Sequence, residues 1–421
     1  MTTDQTNYAS FTRADAEALD AADPLARLRG AFYLQEGLLY LDGNSLGPMA
    51  HSVRDRISDT VAQEWGVGLI GSWNEAGWID LPRRVGDKIA RLVGAPERSV
   101  VAADSTSVNL FKVLSAAIGL NPDRRVIVSE RANFPTDLYM AEGLAALLKQ
   151  GHELRLVDNA EEIAAALDET VAVLMLTHVN YRTGRIHDMA ALTRLAHACG
   201  ALTIWDLAHS AGALKVDLSG SDADFAIGCG YKYLNGGPGA PAFLYVAPRL
   251  QERAIQPLSG WFGHVAPFAF DTGYEPAPGI DRFLAGTPGV IGMSGLEAAL
   301  DIFDGVDMAV LRQKSVALCE LFLARVEVLC GDLGVALASP RDAAMRGSQV
   351  SFTHDNAYAV MQALIARRLV GDFRAPDILR FGFTPLYMRH VDAFDAAEVL
   401  HQVLSSGEWQ RPEFAVRRAV T

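Results

Sequence analysis

Between residues 97 and 246 the sequence alternates short β-branched runs with stretches of helical period, and few architectures tolerate that rhythm. The runs fall at 99–102, 125–129, 153–157, 171–176, 202–205, 225–228 and 242–246. Several are apolar on both faces, as strands are when helices cover both sides of a sheet. Helical patterns at 136–149 and 188–199 lie between them, the second closed by Gly200 as a C-cap. The expectation is an α/β fold around a mostly parallel sheet. After about residue 300 the texture changes to a long helical pattern (307–330), a strand (349–352), a helix (357–368), a strand (378–381) and a last helix (391–404). That reads as a smaller α+β domain. The stretch 259–288, rich in Gly, Pro and aromatics, reads as an irregular connection near a site.

Composition narrows the class of protein further. Of 421 residues, 50% are hydrophobic and 21% charged, unlike a disordered or collagen-like chain. Lys plus Arg number 37 against 50 Asp plus Glu, a net charge of −13, which argues against a free-standing nucleic-acid binder or a polybasic membrane anchor. Cys199, Cys229, Cys319 and Cys330 show neither CxxC nor paired spacing, so a zinc ribbon and a disulfide framework are both disfavoured and a reducing compartment fits. No metal site is expected. The first twenty residues are polar and acidic, without the basic start and apolar run of an export signal. Apolar runs such as 171–176 are too short to cross a bilayer as a helix.

Two familiar patterns fail on context. Gly43-Asn44-Ser45-Leu46-Gly47 matches the GxSxG elbow of serine hydrolases, but such an elbow follows several sheet strands, and here the main βα series starts some fifty residues later. The plainer reading is a Gly-rich turn entering a helix. Residues 237–242 match GxGxxA, yet two prolines interrupt them and a strand follows. No P-loop and no HExxH occur.

The informative residues lie between 202 and 239. A strand ends in Asp206, with His209 just beyond, at the edge of an open α/β sheet where ligands bind. Lys232 leaves the next strand after small and aromatic residues rather than among other charges. A carboxylate and a lysine so placed suit pyridoxal phosphate: the lysine holds the cofactor covalently, and the carboxylate keeps its ring nitrogen protonated. An ordinary strand-end aspartate beside a partly buried lysine would look the same. Two further segments reach the same edge. Ser105, Thr106 and Ser107 open a helix, where hydroxyls and free amides could bind a phosphate or could simply cap it. Asn133-Phe134-Pro135-Thr136-Asp137 follows another strand and offers an aromatic face and a carboxylate, although Phe134 alone could be core.

The blocks YLDGNSLGP (40–48), SWNEAGW (72–78), NFPTDLY (133–139), WDLAHSAG (205–212), YKYLNGGPG (231–239), PLSGWFGH (257–264) and RFGFTPLY (380–387) together resemble the bacterial kynureninase family, in order from about residue 30 to the C-terminus. The resemblance implies the aspartate aminotransferase-like fold type I of pyridoxal phosphate enzymes. It also implies a division into an N-terminal segment (1–60) packing with the small domain, a large cofactor domain (61–300) and a small C-terminal domain (301–421). By the same resemblance Lys232 carries the cofactor, Asp206 faces the ring nitrogen, and Tyr231 joins them as a catalytic residue. Thr106, Ser107 and Tyr231 would contact the phosphate, with Ser105 undecided against its neighbours. Phe134 would stack on the ring, and Pro135, Thr136, Asp137, Thr177 and His209 would line the cofactor. Trp261 and Thr287 would reach the phosphate of the partner subunit in a homodimer. Arg380 would take the substrate carboxylate, and Asn44, Ser45 and Trp65 would line the substrate pocket.

The activity so implied is hydrolysis of L-kynurenine to anthranilate and L-alanine, in tryptophan degradation and pyridine nucleotide biosynthesis, in the cytoplasm. Acceptance of 3-hydroxykynurenine stays open, since one side chain can decide on one hydroxyl. Two rivals stand beside this reading. A cysteine desulfurase would need a mobile nucleophilic cysteine, whereas Cys319 and Cys330 share an apolar helix face with Phe322, Leu323 and Val326. A serine hydrolase would use Ser45. Arg380 has its own alternative, a strand residue pointing to solvent.

Overall fold

In the computed structural model residues 8–417 are described. Residues 1–7, the start of the stretch read above as lacking an export signal, lie outside them. Among the described residues no helix is long and apolar enough to cross a membrane. The chain divides into two compact units, Ser52–Tyr181 with His187–Asp304, and residues 8–51 with Arg182–Ile186 and residues 305–417.

The larger unit is built on a seven-stranded sheet. Its strands are β1 (Val100–Ala103), β2 (Val126–Glu130), β3 (Glu153–Val157), β4 (Val171–Thr177), β5 (Leu202–Asp206), β6 (Phe225–Cys229) and β7 (Ala242–Val246). Their spatial order is β1-β7-β6-β5-β4-β2-β3. All run parallel except β7, which is antiparallel to both its neighbours. Every residue of β4, β6 and β7 is buried, which is why their sequences show no polar alternation. Each large apolar side chain buried here contributes roughly 1.5–3 kcal/mol. The sheet is mostly parallel, as expected, and the one reversed strand is a detail the sequence did not specify. A run buried on both faces looks the same in either direction; the link 230–241, full of Gly and Pro, has no helix to carry a parallel crossover.

Helices α1 (Thr106–Leu120), α2 (Pro135–Leu148), α3 (Met189–Ala198) and α4 (Val290–Leu300) belong to this unit. Asp188 caps α3 by accepting the Ala191 amide at 2.9 Å. Gly200 follows the C-cap Cys199 at φ +81°, the left-handed region that glycine enters without strain. The segment 259–288 forms only short 3-10 turns, Trp261–Gly263 and Gly279–Phe283. With six strand carboxyl ends on one edge, the loops after β1, β2, β4, β5 and β6 all open on the same side of the sheet.

The smaller unit carries an antiparallel sheet of β8 (Gln349–Thr353), β9 (Asp372–Arg374) and β10 (Ile378–Gly382), in the order β9-β10-β8, extended by Ala336–Leu337. Helix α5 (Met308–Cys330) packs along α7 (His390–Ser406), with α6 (Ala357–Ala366) beside them. The Phe322 ring on α5 lies 5.0 Å from Phe381 and 5.2 Å from Phe383, centroid to centroid. Asp20, on the helix Arg13–Ala21, caps α7: its carboxylate accepts the amides of His390 at 2.6 Å and Val391 at 3.0 Å. Asp23 pairs with the buried Lys314 of α5 at 2.7 Å.

Candidate active site

A cavity of about 230 Å³ opens at the shared sheet edge of the larger unit. Each loop contributes to it. Asp104, Ser105, Thr106 and Ser107 come from the β1–α1 connection, Phe134, Thr136 and Asp137 from the start of α2, and Thr177 and Tyr181 from the end of β4. Asp206, Ala208 and His209 follow from β5, and Tyr231 and Lys232 from β6. The parallel strands thus bring together residues more than a hundred positions apart.

Lys232 Nζ lies 3.0 Å from His209 Nε2, 5.8 Å from the centroid of the Tyr231 ring and 6.0 Å from that of Phe134. Phe134 is set by a small network. The buried Asn133 accepts the Phe134 amide at 2.7 Å, donates to Ser129 Oγ at 3.0 Å and accepts from the Thr177 hydroxyl. Tyr181 stands edge-on to Phe134, centroids 5.3 Å apart and planes at 90°. Pro135 occupies the first turn of α2, where its missing N–H is no loss, and does not line the cavity.

The electrostatics of the cavity are unbalanced. Asp137 and Asp206 are 3% and 6% exposed. Burial pushes both carboxyls above the ordinary carboxylate range; the Asp206 charge raises Asp137 further, while Lys232 opposes both shifts. Asp206 Oδ1 accepts the Ala208 amide at 2.8 Å, and among the described residues neither carboxyl has an ion pair within 4 Å. At the other end, Ser105 Oγ accepts the Val108 amide at 3.3 Å and is the N-cap of α1. The amides of Thr106 and Ser107 have no acceptor among the described residues. A group with a cation to face Asp206 and an anion to face the start of α1 fits this donor set, and pyridoxal phosphate has both.

Other residues singled out in the sequence stand elsewhere. Trp65, 57% exposed, lies on the π-helical turn Thr60–Gly68 and does not line the cavity. Trp261 joins an aromatic cluster with Trp73 at 6.2 Å and Phe262 at 4.7 Å. Thr287 lines a separate cavity of about 220 Å³, which also touches Asp104 and Ala240.

Arg380, Asn44 and Ser45 gather in the smaller unit. Arg380 is 1% exposed, so the solvent-facing alternative does not hold. It stands opposite Asp372 across the β9/β10 pair and donates to that carboxylate through Nη2. Ser45 Oγ donates to Asp372 Oδ2 at 2.9 Å and accepts from Arg380 Nη2 at 2.8 Å. Asn44 is fully buried, and among the described residues its side-chain N and O find no partner. It packs so tightly on Gly382 that a Cβ there would lie 2.0 Å from Asn44 Oδ1. The GxSxG match is a turn after Leu39–Tyr40, the helix His51–Asp59 begins later, and no imidazole is bonded to Ser45 among the described residues. A serine hydrolase is thereby set aside. The thiols of Cys319 and Cys330 are buried and pushed up to about 11 and about 12, the reverse of what a desulfurase nucleophile needs.

Sequence reasoning missed Tyr181, Asn133 and Asp372. The loop after β4 ends at the ligand edge, a signal that could have found Tyr181; nothing local marks Asp372, whose meaning comes from its cross-strand neighbour.

Known proteins resemble this chain in sequence and in fold. A family model described as the kynureninase C-terminal domain matches residues 311–400, and one for the DegT/DnrJ/EryC1/StrS aminotransferase family matches residues 80–227. Kynureninase from Pseudomonas fluorescens is 55% identical over 414 residues, covering 97% of this chain and 100% of that relative. Kynureninase from Burkholderia mallei is 54% identical with the same coverage. Among solved structures, a C-DES variant with glycine covalently linked to its PLP cofactor superposes with a TM-score of 0.76 at 18% identity, over 88% of this chain and 98% of that one. A cysteine desulfurase from Thermococcus onnurineus NA1 gives 0.75 at 20% identity, over 90% and 98%. At such identities these two share the fold alone: the fold type I architecture of pyridoxal phosphate enzymes.

Proposed function

The chain belongs to the kynureninase family, and from that premise we propose that it hydrolyses L-kynurenine between Cβ and Cγ, giving anthranilate and L-alanine with the aid of pyridoxal phosphate. The observation that carries the proposal is the pairing, in one cavity, of a lysine amine with a buried carboxyl that has no ion pair among the described residues. Bound there, the cofactor supplies an electron sink for the charge left as bonds to the amino acid's Cα and Cβ break.

The chain's own groups do the rest. Lys232 would hold the cofactor covalently, and its free amine would take and return the proton at the substrate Cα. His209 Nε2, 3.0 Å from that amine, fixes its position. Asp206 accepts the ring N–H, and its burial keeps water from competing for that bond. The Thr106 and Ser107 amides and hydroxyls, with the Tyr231 hydroxyl, take the phosphate, while Ser105 is occupied as the N-cap. Phe134, steadied by Asn133 and Tyr181, offers its face to the ring, and Thr136, Asp137 and Thr177 complete the wall. Tyr231, next to Lys232, relays a proton. Arg380 takes the α-carboxylate through its guanidinium, and Asn44, Ser45 and Trp65 are the further residues proposed to contact substrate.

The assembly proposed is a homodimer in which Trp261 and Thr287 reach the partner's phosphate. Exposed apolar side chains support it: Val67 is 72%, Ile70 81% and Phe270 78% exposed. A cytoplasmic location is in keeping with four free cysteines.

Release of anthranilate from L-kynurenine, followed by its fluorescence, tests the activity, and a parallel assay with 3-hydroxykynurenine ranks the two substrates. Absence of release from cofactor-saturated protein would overturn the proposal. Asp206→Asn is expected to keep the cofactor and lose most turnover; near-normal turnover would remove Asp206 from its role.

A further inference from the structure

The smaller unit concentrates buried charge at the turn that follows Leu39–Tyr40. Leu41 ties that turn to the sheet from both sides, its amide donating to Val370 O at 2.7 Å and its carbonyl accepting the Gly382 amide at 2.7 Å. Asp42, Ser45, Asp372, Arg374 and Arg380 therefore meet in one fixed cluster. We propose that Asp42 and Asp372 are positioning residues for the substrate α-carboxylate, Asp372 by holding the Arg380 guanidinium in one orientation and Asp42 by setting the net charge that the cluster offers. Both roles presuppose that Arg380 takes that carboxylate, as proposed above.

Asp372 is 1% exposed, accepts from Arg380 Nη2 and from Ser45 Oγ at 2.9 Å, and forms an ion pair with Arg374, whose Nη2 lies 2.6 Å away. A guanidinium pinned in this way has lost its rotamer freedom before substrate arrives, so less entropy is lost on binding. Asp42 adds the second control. The groups that face it are Asp372 and Arg374 from β9, Arg380 from β10, Ser45 from its own turn and Tyr40 from the preceding strand. Its Oδ1 is buried with no hydrogen-bond partner among the described residues. Burial and the nearby Asp372 push this carboxyl up to about 7, although both arginines pull against them.

Charge arithmetic then gives the consequence. With Asp42 ionised, two carboxylates cancel two guanidiniums, and an incoming carboxylate meets a neutral cluster. With Asp42 protonated the cluster carries one positive charge. The protonated form is the one that favours an incoming carboxylate, so affinity is expected to fall as pH rises through about 7.

The two carboxyls are thus expected to fail in opposite directions, which a merely structural role would not produce. Asp372→Asn should lower kcat/KM about 30-fold or more, chiefly through KM, because Arg380 loses its anchor. Asp42→Asn removes the titrating group. The wild-type fall in kcat/KM between pH 6.5 and 8.5, about tenfold if the protonated form binds much more tightly, should flatten, leaving the variant above wild type at pH 8.5. Titrating the holoenzyme with L-alanine, read from the cofactor absorbance, should show the same pattern as a dissociation constant, free of turnover. Sedimentation and the cofactor spectrum report whether each variant folds; if Asp372→Asn does not, Ser45→Ala, which removes one bond from Asp372, should raise KM about threefold to tenfold.

Arg380→Lys is measured alongside. Arg380→Lys within about threefold of wild type would sink the reading of Arg380 itself. If that variant is impaired while Asp42→Asn keeps the full wild-type pH dependence, or while the folded anchor variant stays within about threefold of wild type, the positioning roles alone are overturned.

Discussion

Asp206 in the larger unit and Arg380 in the smaller are both buried charges, yet only Arg380 has its counter-ion in place. Around Lys232 two raised carboxyls share one ammonium, and the start of α1 presents amides with no acceptor among the described residues. Around Arg380 every charge has an opposite within reach. A site that keeps its ligand through every turnover can leave its charges open, because the ligand is part of the folded protein. A substrate site, the role proposed for Arg380, stands empty between turnovers and cannot, since an uncompensated buried charge would cost several kcal/mol each time substrate left.

That contrast can be broken by experiment, most severely at the lysine. Lys232→Ala should reduce turnover about 10⁴-fold, the upper end for a lost proton-transfer group, and borohydride should fix the yellow chromophore of the wild type on the Lys232 peptide. Label on a different lysine would remove Lys232 from its role. Next in size, Arg380→Ala should cost roughly 2–5 kcal/mol, about 30- to 5,000-fold in kcat/KM, with the cofactor spectrum unchanged. A disturbed spectrum would mean that Arg380 serves the cofactor and not the substrate.

Smaller effects sharpen the comparison, because pH should weaken the two units from opposite sides. His178, at the end of β4, is buried against Trp205 and held neutral, its imidazole lowered to about 4 by burial and then by His187. Its folded value lies below the unfolded one, so its contribution is present above about pH 6.5 and is lost as pH falls toward 4, at most about 3 kcal/mol. His178→Gln should blunt the acid drop in unfolding temperature between these limits; an undiminished drop would assign it to other groups. Asp42 has the opposite sign. Its folded value is raised from 3.8 to about 7, so its contribution is present below 3.8 and lost as pH rises through 7. Asp42→Asn should raise the unfolding temperature at pH 8 by the equivalent of on the order of 2 kcal/mol and hardly at pH 4. Equal shifts at both pH values would show that packing, and not charge, is responsible.

The larger unit was easier to foresee than the smaller one. Strands such as Val171–Thr177 announce themselves because burial on both faces leaves an unbroken apolar run, and their loops follow in sequence order. Asp206, His209, Tyr231 and Lys232 could be picked out because they end consecutive strands, and the fold gathers them in one cavity. The direction of β7 was not visible, since a fully buried strand reads alike both ways. Asp42 and Asp372 were missed for another reason: their partners lie some 330 and 8 residues away across a sheet register that no local pattern specifies. The match at 43–47 misled because GxSxG records a tight turn, not what the serine touches.

The cap that Asp20 places on α7 joins residues 370 positions apart, and it bears on the order in which the chain can acquire structure during synthesis. The larger unit is encoded entirely between Ser52 and Asp304, interrupted only by Arg182–Ile186 of the smaller unit, so a ribosome can release it as a nearly continuous stretch. The smaller unit has no such freedom. Its first helix emerges early and must wait, with Asp20 and Asp23 unpaired, until residue 390 has left the exit tunnel and α5 and α7 can receive them. Until then the helix Arg13–Ala21 lacks the partners that the folded unit gives it, and a stall before α7 leaves the smaller unit without this cap.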